Sequence, residues 1–190
     1  MMTGFLVLHG LGGSTDGHWQ EWLVHSLKNE GRRVWFPQFP QWDHPVKETW
    51  LAVLDQELRA IPADQPLTVI THSLGCILWL HYAARKNVRT VEQLIMVCPP
   101  SEHVKKPEIQ NFFPLPEDKT SIKRIAKQSM LILSSNDPFL PRDEMKQYFA
   151  YRIPCFIFPE QGHINTRAGY GPWPWMLHFL LEGSLEWPVL

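Results

Sequence analysis

Residues 67–75 read LTVITHSLG, from Leu67 to Gly75: a β-branched run that stops at a serine and then gives way to a helical pattern. A strand that becomes a helix within one or two residues forces the turning residue into strained backbone geometry and lifts its side chain clear of the sheet edge. Ser73 holds that turning position, so its hydroxyl is the candidate nucleophile. Small residues are wanted two before and two after, because the strand and helix backbones pass close there. Gly75 meets the second demand, whereas Thr71 fills the first with a branched side chain that suits a strand but crowds the turn. A bare S-x-G also describes a serine that merely closes a turn, so the rest of the chain decides the reading.

Upstream, Phe5 to Leu8 is a continuous apolar run ending in His9-Gly10-Leu11-Gly12-Gly13, which reads as a buried strand and a glycine-rich turn. Trp19, Trp22, Leu23 and Leu27 recur at helical spacing before Gly31, and Arg33 to Phe36 predicts a second strand whose following loop carries Phe39 and Trp42. Leu51, Leu54, Leu58 and Ile61 mark a helix that Pro62 ends. Downstream, the helix after Ser73 is expected to run to about Lys86, and Leu94 to Val97 is the fourth strand. Residues 101–119 are rich in proline and charge and show no period. Ile122 to Lys127 predicts a short helix, Met130 to Leu133 the fifth strand, Arg142 to Tyr151 a helix, Cys155 to Phe158 the sixth strand, and Trp175 to Leu181 a closing helix. Six apolar strands separated by helices predict an α/β, doubly wound fold: a six-stranded parallel sheet with helices on both faces, one domain over residues 1–190, and no large cap domain. Ligands of such sheets bind outside the carboxyl ends of the strands, where His9-Gly10, Ser73, Asp137 and His163 all fall.

At 190 residues the chain is long enough for one core and short for two. A net charge of −1, with basic residues adjoining in nothing longer than pairs such as Arg32-Arg33, Lys105-Lys106 and Lys123-Arg124, gives no nucleic-acid footprint. The opening MMTGFLVLHG lacks the charged and apolar regions of a signal peptide, and no later run approaches membrane-spanning length, so a cytoplasmic location is expected. Cys76, Cys98 and Cys155 lie in or beside apolar runs and are odd in number, which suits buried reduced thiols. Cys76 follows Ser73 by one turn of helix and is read as structural. Most of the nine tryptophans are expected to fill the core.

A serine hydroxyl is a poor nucleophile until a base takes its proton, and the base needs an acid to hold its tautomer. Ser73, Asp137 and His163 occur in the order Ser, Asp, His, each after a separate strand, as an α/β-hydrolase requires. Attack also creates an oxyanion, for which backbone N–H groups at Leu74 and at Leu11, preferred over Gly12, are the candidate donors. Here the chain resembles the small single-domain serine hydrolases grouped with the retinoblastoma-binding serine hydrolase. The anchors are HGLGGSTDGHWQEWL at 9–23, HSLG at 72–75, NDPFLP at 136–141 and GHINTRAGYGPWP at 162–174. The resemblance implies a reduced α/β-hydrolase fold with Ser73, Asp137 and His163 as its triad. Retinoblastoma-protein binding does not carry over, because the nearest approach to L-x-C-x-E, Leu74 to Leu78, ends in leucine.

Competing readings are weaker. His72 adjoins Ser73 but points to the other side of the strand end; Glu160 sits on the same loop as His163; and His9, Asp16 and His18 have no recognised metal spacing. Gly10-x-Gly12 lacks the third glycine, the lysine and the acid of nucleotide-binding turns, so no cofactor is expected. The expected function is hydrolysis of small acyl esters through an acyl-enzyme, in an open or thinly covered pocket for which Trp42, Phe139 and Trp173 are the candidate lining aromatics. The alternative is a hydrolase scaffold that has lost catalysis and acts as a binding protein; no nucleic acid or membrane partner is expected, and the sequence names no protein partner.

Overall fold

The computed structural model describes residues 2–15 and 17–183. Six strands, β1 (Gly4–Leu8), β2 (Val34–Trp35), β3 (Leu67–His72), β4 (Val91–Val97), β5 (Ala126–Ser134) and β6 (Cys155–Phe158), form one sheet in the order β2-β1-β3-β4-β5-β6. Every neighbouring pair is parallel. Between them run α1 (Trp19–Asn29), α2 (Lys47–Ala60), α3 (Leu74–Ala83), α4 (Ser121–Ile125) and α5 (Lys146–Phe149), and α6 (Pro174–Glu182) follows the last strand.

Strand side chains alternate between two apolar layers, as a period of two dictates. Phe5, Val7, Ile70, Ile95, Val97 and Ile132 face the layer that holds α1 and α6, with Trp19, Leu23, Leu27, Met176 and Phe179. Leu6, Leu8, Val69, Leu94, Met96 and Leu131 face the other, with Trp50 and Leu54 of α2, α3, and Ile122 of α4. Both faces are therefore covered, which is why the strands read as continuous apolar runs. Helix α3 is buried almost all round, being sandwiched between sheet and outer helices. Trp19, Trp50 and Trp79 are fully buried, so much of the tryptophan content is core.

Several boundaries differ from those read in the sequence. Lys127 belongs to β5 rather than to a helix, because Ala126 and Gln128 pair with Val91 and Gln93; the polar start of that strand disguised it. The expected helix over 142–151 is broken into a 3₁₀ turn, Arg142–Glu144, and the single turn of α5. Its side chains are drawn onto the aperiodic segment: Ser101 donates to Glu144, and the Glu102 N–H donates to Gln147 at 2.9 Å. Helix α3 stops at Ala83, whose carbonyl accepts from Arg124 at 2.8 Å. The strand order changes direction between β1 and β3, so a crevice opens at their carboxyl ends. Gly10 and Ser73 meet there.

Candidate active site

Ser73 sits between β3 and α3 with φ 53° and ψ −123°, a conformation that a non-glycine residue adopts only under constraint. Two backbone bonds impose it: the Ser73 N–H donates to Val97 O at 2.9 Å, and Ser73 O accepts from the Cys76 N–H at 2.9 Å. Helix α3 passes so close to β1 that a Cβ on Gly75 would lie 2.7 Å from the carbonyl oxygens of Leu8 and His9. Thr71 does not crowd the turn. It stays in the strand, with its hydroxyl 3.1 Å from Cys76 Sγ and 3.3 Å from Ile95 O, and the small Cys76 leaves room for it. Burial pushes the Cys76 thiol up to about 12, which removes it as a rival nucleophile at neutral pH.

His163 follows β6 and Asp137 follows β5. The Ser73 hydroxyl lies 2.9 Å from His163 Nε2, and His163 Nδ1 lies 2.8 and 3.0 Å from the two carboxylate oxygens of Asp137. The carboxylate must accept, so Nδ1 carries the proton and Nε2 is left to accept from serine. Both partners of that hydrogen-bonded pair are buried, and the Phe139 N–H also donates to Asp137 at 2.9 Å. The histidine loop is pinned from below: His72 Nε2–H donates to the His163 carbonyl at 2.9 Å, and the Trp19 indole N–H donates to the Ile164 carbonyl at 2.8 Å. His72 thus holds the loop's backbone, and burial keeps its pKa well below the usual imidazole range.

Cys98, at φ 48° just beyond β4, is fully buried beside Asp137. Burial, then the carboxylate, push its thiol far above the ordinary value. Donor atoms of Cys98, Asp137 and His163 lie within 4.8 Å of one another. The Asp137 oxygens, however, already accept from His163 and Phe139, so the cluster is a hydrogen-bonded set rather than an open ligand cage.

Gly10 brings the first turn against the serine: a Cβ there would lie 2.7 Å from Ser73 Cβ and 3.2 Å from Leu74 N. The Gly12 N–H is engaged by Trp42 O at 2.9 Å, and the Gly13 N–H by Gly10 O at 3.2 Å. Among the described residues the N–H groups of Leu11 and Leu74 have no such partner. His9 locks the turn, since Phe39 N–H donates to its Nε2 at 3.0 Å and its Nδ1–H donates to Gly10 O at 2.8 Å.

A cavity of about 330 Å³ opens over Ser73 and His163. Phe139 lines it, its ring edge-on to His163 at 4.6 Å. Trp42 and Trp173, also expected there, do not. Trp42 lies under the glycine turn, 3.2 Å from where a Gly13 Cβ would be, and its carbonyl supports Gly12. Trp173 is buried against Trp19, Phe158 and Tyr170 in the α1–α6 layer. Apolar mass at a strand end was drawn to the core rather than to the mouth. Sequence reasoning missed His18, Val104, Lys106, Ile109 and Asn165 in the wall. Asn165, two residues after His163, had a positional signal; Val104, Lys106 and Ile109 sit in the aperiodic segment and had none. The expected thin cover is this segment, which contributes three wall residues and no separate domain.

A parallel sheet of this order, turning into a helix at a strained serine, is the fold of the α/β-hydrolases. The chain belongs to the serine hydrolase family, whose model matches residues 5–182. It is similar in structure to the ydeN gene product of Bacillus subtilis, with a TM-score of 0.81 and 22% identity over 94% of this chain and 97% of that one. A YdeN-like hydrolase of Pectobacterium atrosepticum aligns with a TM-score of 0.69 and 22% identity, covering 94% and 89% of the two chains. The carboxylesterase CesB of Bacillus subtilis aligns with a TM-score of 0.62 and 12% identity, covering 96% and 85%. A comparison with curated protein sequences gives no match.

Proposed function

We propose that the protein is a carboxylic ester hydrolase acting on small acyl esters through Ser73, His163 and Asp137. The observation that carries this reading is the continuous chain of bonds from the Ser73 hydroxyl through His163 to buried Asp137 at 2.9 and 2.8 Å. His163 Nε2 takes the serine proton as Oγ attacks the ester carbonyl carbon; the carbonyl electrons move to oxygen, and Leu11 and Leu74 N–H groups donate to that oxyanion. The intermediate collapses with loss of the alcohol, which receives the proton from His163, and leaves an acyl-serine. Water then attacks, giving its proton to His163, and the acid departs as Ser73 regains its hydrogen. A cavity of about 330 Å³, at the small end of ligand pockets, supports short substrates.

Within the family we place the chain beside the retinoblastoma-binding serine hydrolases, on the motifs at 9–23, 72–75, 136–141 and 162–174. It works as one domain without a large cap. Three free cysteines support a reducing, cytoplasmic setting, and no helix among the described residues is long and apolar enough to cross a membrane.

A fluorophosphonate probe tests the reading. Wild-type protein is expected to be labelled at Ser73, and Ser73→Ala to lose both labelling and about 10⁴- to 10⁶-fold in kcat on p-nitrophenyl esters. Absence of labelling in the wild type would instead favour a scaffold that binds without catalysis.

A further inference from the structure

Among the described residues, the wall around Ser73 is rich in donors and holds no carboxylate. Among its described residues Lys106 is the single lysine or arginine, and none is aspartate or glutamate. Lys106 is half-buried, has no ion-pair partner among the described residues, and carries its Nζ 5.5 Å above the ring of Phe139. That ring in turn stands 4.6 Å from His163, so the ammonium is separated from the base by no more than these two distances together. The lysine is not on a loose loop. Its N–H donates to Val104 O at 3.0 Å, its carbonyl accepts from Ile109 N–H at 3.2 Å, and Ser101 N–H ties the segment to Phe139 O at 2.7 Å.

Two neutral side chains add donors. His18 Nδ1 accepts from the Gln20 N–H at 3.2 Å, so its proton is on Nε2, and no group among the described residues accepts it. Asn165 Oδ1 accepts from the Ala168 N–H at 3.1 Å, which leaves its amide NH₂ without a partner among the described residues. Donors with nothing to donate to, around a single formal charge, match an acceptor-rich monoanion. A carboxylate fits that charge; a phosphate dianion would call for a second cation.

We infer that the substrate is an ester whose short acyl chain ends in a carboxylate, held by Lys106 while Ser73 attacks the ester carbonyl. This rests on the serine-hydrolase reading and names the substrate class for that site. The rival explanation, that the lysine stem only covers Phe139, makes a different prediction.

The test compares kcat/KM for the p-nitrophenyl monoester of adipic acid with that for p-nitrophenyl hexanoate, which has the same chain length and no charge. Wild-type protein is expected to favour the adipate ester by about five- to tenfold at low salt, with the ratio shrinking as salt rises. Lys106→Met is expected to bring the ratio to about one, and Lys106→Arg to preserve it. A wild-type ratio at or below one overturns the proposal, as does a ratio unchanged in Lys106→Met, including the case where both esters slow together. Fluorophosphonate labelling of Ser73, run alongside, separates these results from failure of the underlying reading: with no label and neither ester cleaved, the hydrolase reading falls and takes the proposal with it.

Discussion

Gly10 lacks a side chain at the point where the first turn meets Ser73, the proposed nucleophile, and the backbone N–H of Leu74, a proposed oxyanion donor. A methyl group there would overlap Ser73 Cβ at 2.7 Å and press on Leu74 N at 3.2 Å. Either the turn retreats, carrying Leu11 N–H away from the serine, or Ser73 is pushed off His163. Gly10→Ala is therefore expected to lower kcat by about 10²- to 10³-fold, the usual loss for one oxyanion donor, and to cost about 1–3 kcal/mol of stability from overpacking. Steady-state kinetics and urea unfolding read the two effects separately. Gly12→Ala is the comparison: φ is 77°, so the backbone is strained, yet the nearest atom to the new Cβ is 4.0 Å away. It is expected to lose stability with a much smaller loss of kcat. Equal kcat in the two variants would contradict the close approach described for Gly10.

Helix α1 reaches the site without contributing a reacting group, because the indole of Trp19 holds the Ile164 carbonyl next to His163. Trp19→Phe keeps an aromatic ring in the α1–α6 layer but leaves that carbonyl buried and unpaired, at a cost of about 1–3 kcal/mol. The urea midpoint is expected to fall accordingly, with a modest loss of kcat from the loosened histidine loop; an unchanged midpoint would show that the bond carries nothing. This helix was legible in the sequence because its apolar spacing is regular, and β6 and the strand before Ser73 were legible as apolar runs bounded by turn residues. Lys127 at the start of β5 was not, since edge positions of a strand can be polar without losing their ladder bonds. Strand-end order gave the positions of Ser73, Asp137 and His163. Lys106 and His18 stayed hidden because their place in the wall depends on a 3₁₀-turned segment and on a helix cap, which carry no period.

At the scale of the whole molecule, three imidazoles, those of His9, His18 and His72, are buried around the candidate site. Burial is the largest cause lowering the pKa of each, and for His18 and His72 the charge of His163 acts in the same direction. His18 is brought down to about 4 from the ordinary 6.5. An unfolded chain takes up protons at these groups as pH falls through about 6.5, whereas the folded chain refuses them, so the unfolded state binds more protons and stability rises with pH. The contribution is complete above about pH 6.5 and is lost as pH falls towards 4. For His18 alone it is on the order of 3 kcal/mol. Urea midpoints are expected to be level from pH 8 to 7 and to drop steadily below 6.5. Carboxylates add their own losses at the acid end, so the informative quantity is the difference between wild type and His18→Asn. Asparagine is a good N-cap and can accept from the Gln20 N–H as His18 Nδ1 does, so the helix keeps its start while one titrating group is removed. His18→Asn is expected to lose stability less steeply than wild type between pH 6.5 and 4.5. Parallel curves for the two proteins would mean that His18 is protonated in the folded state as readily as in the unfolded chain, and that its Nδ1 is not the acceptor for Gln20.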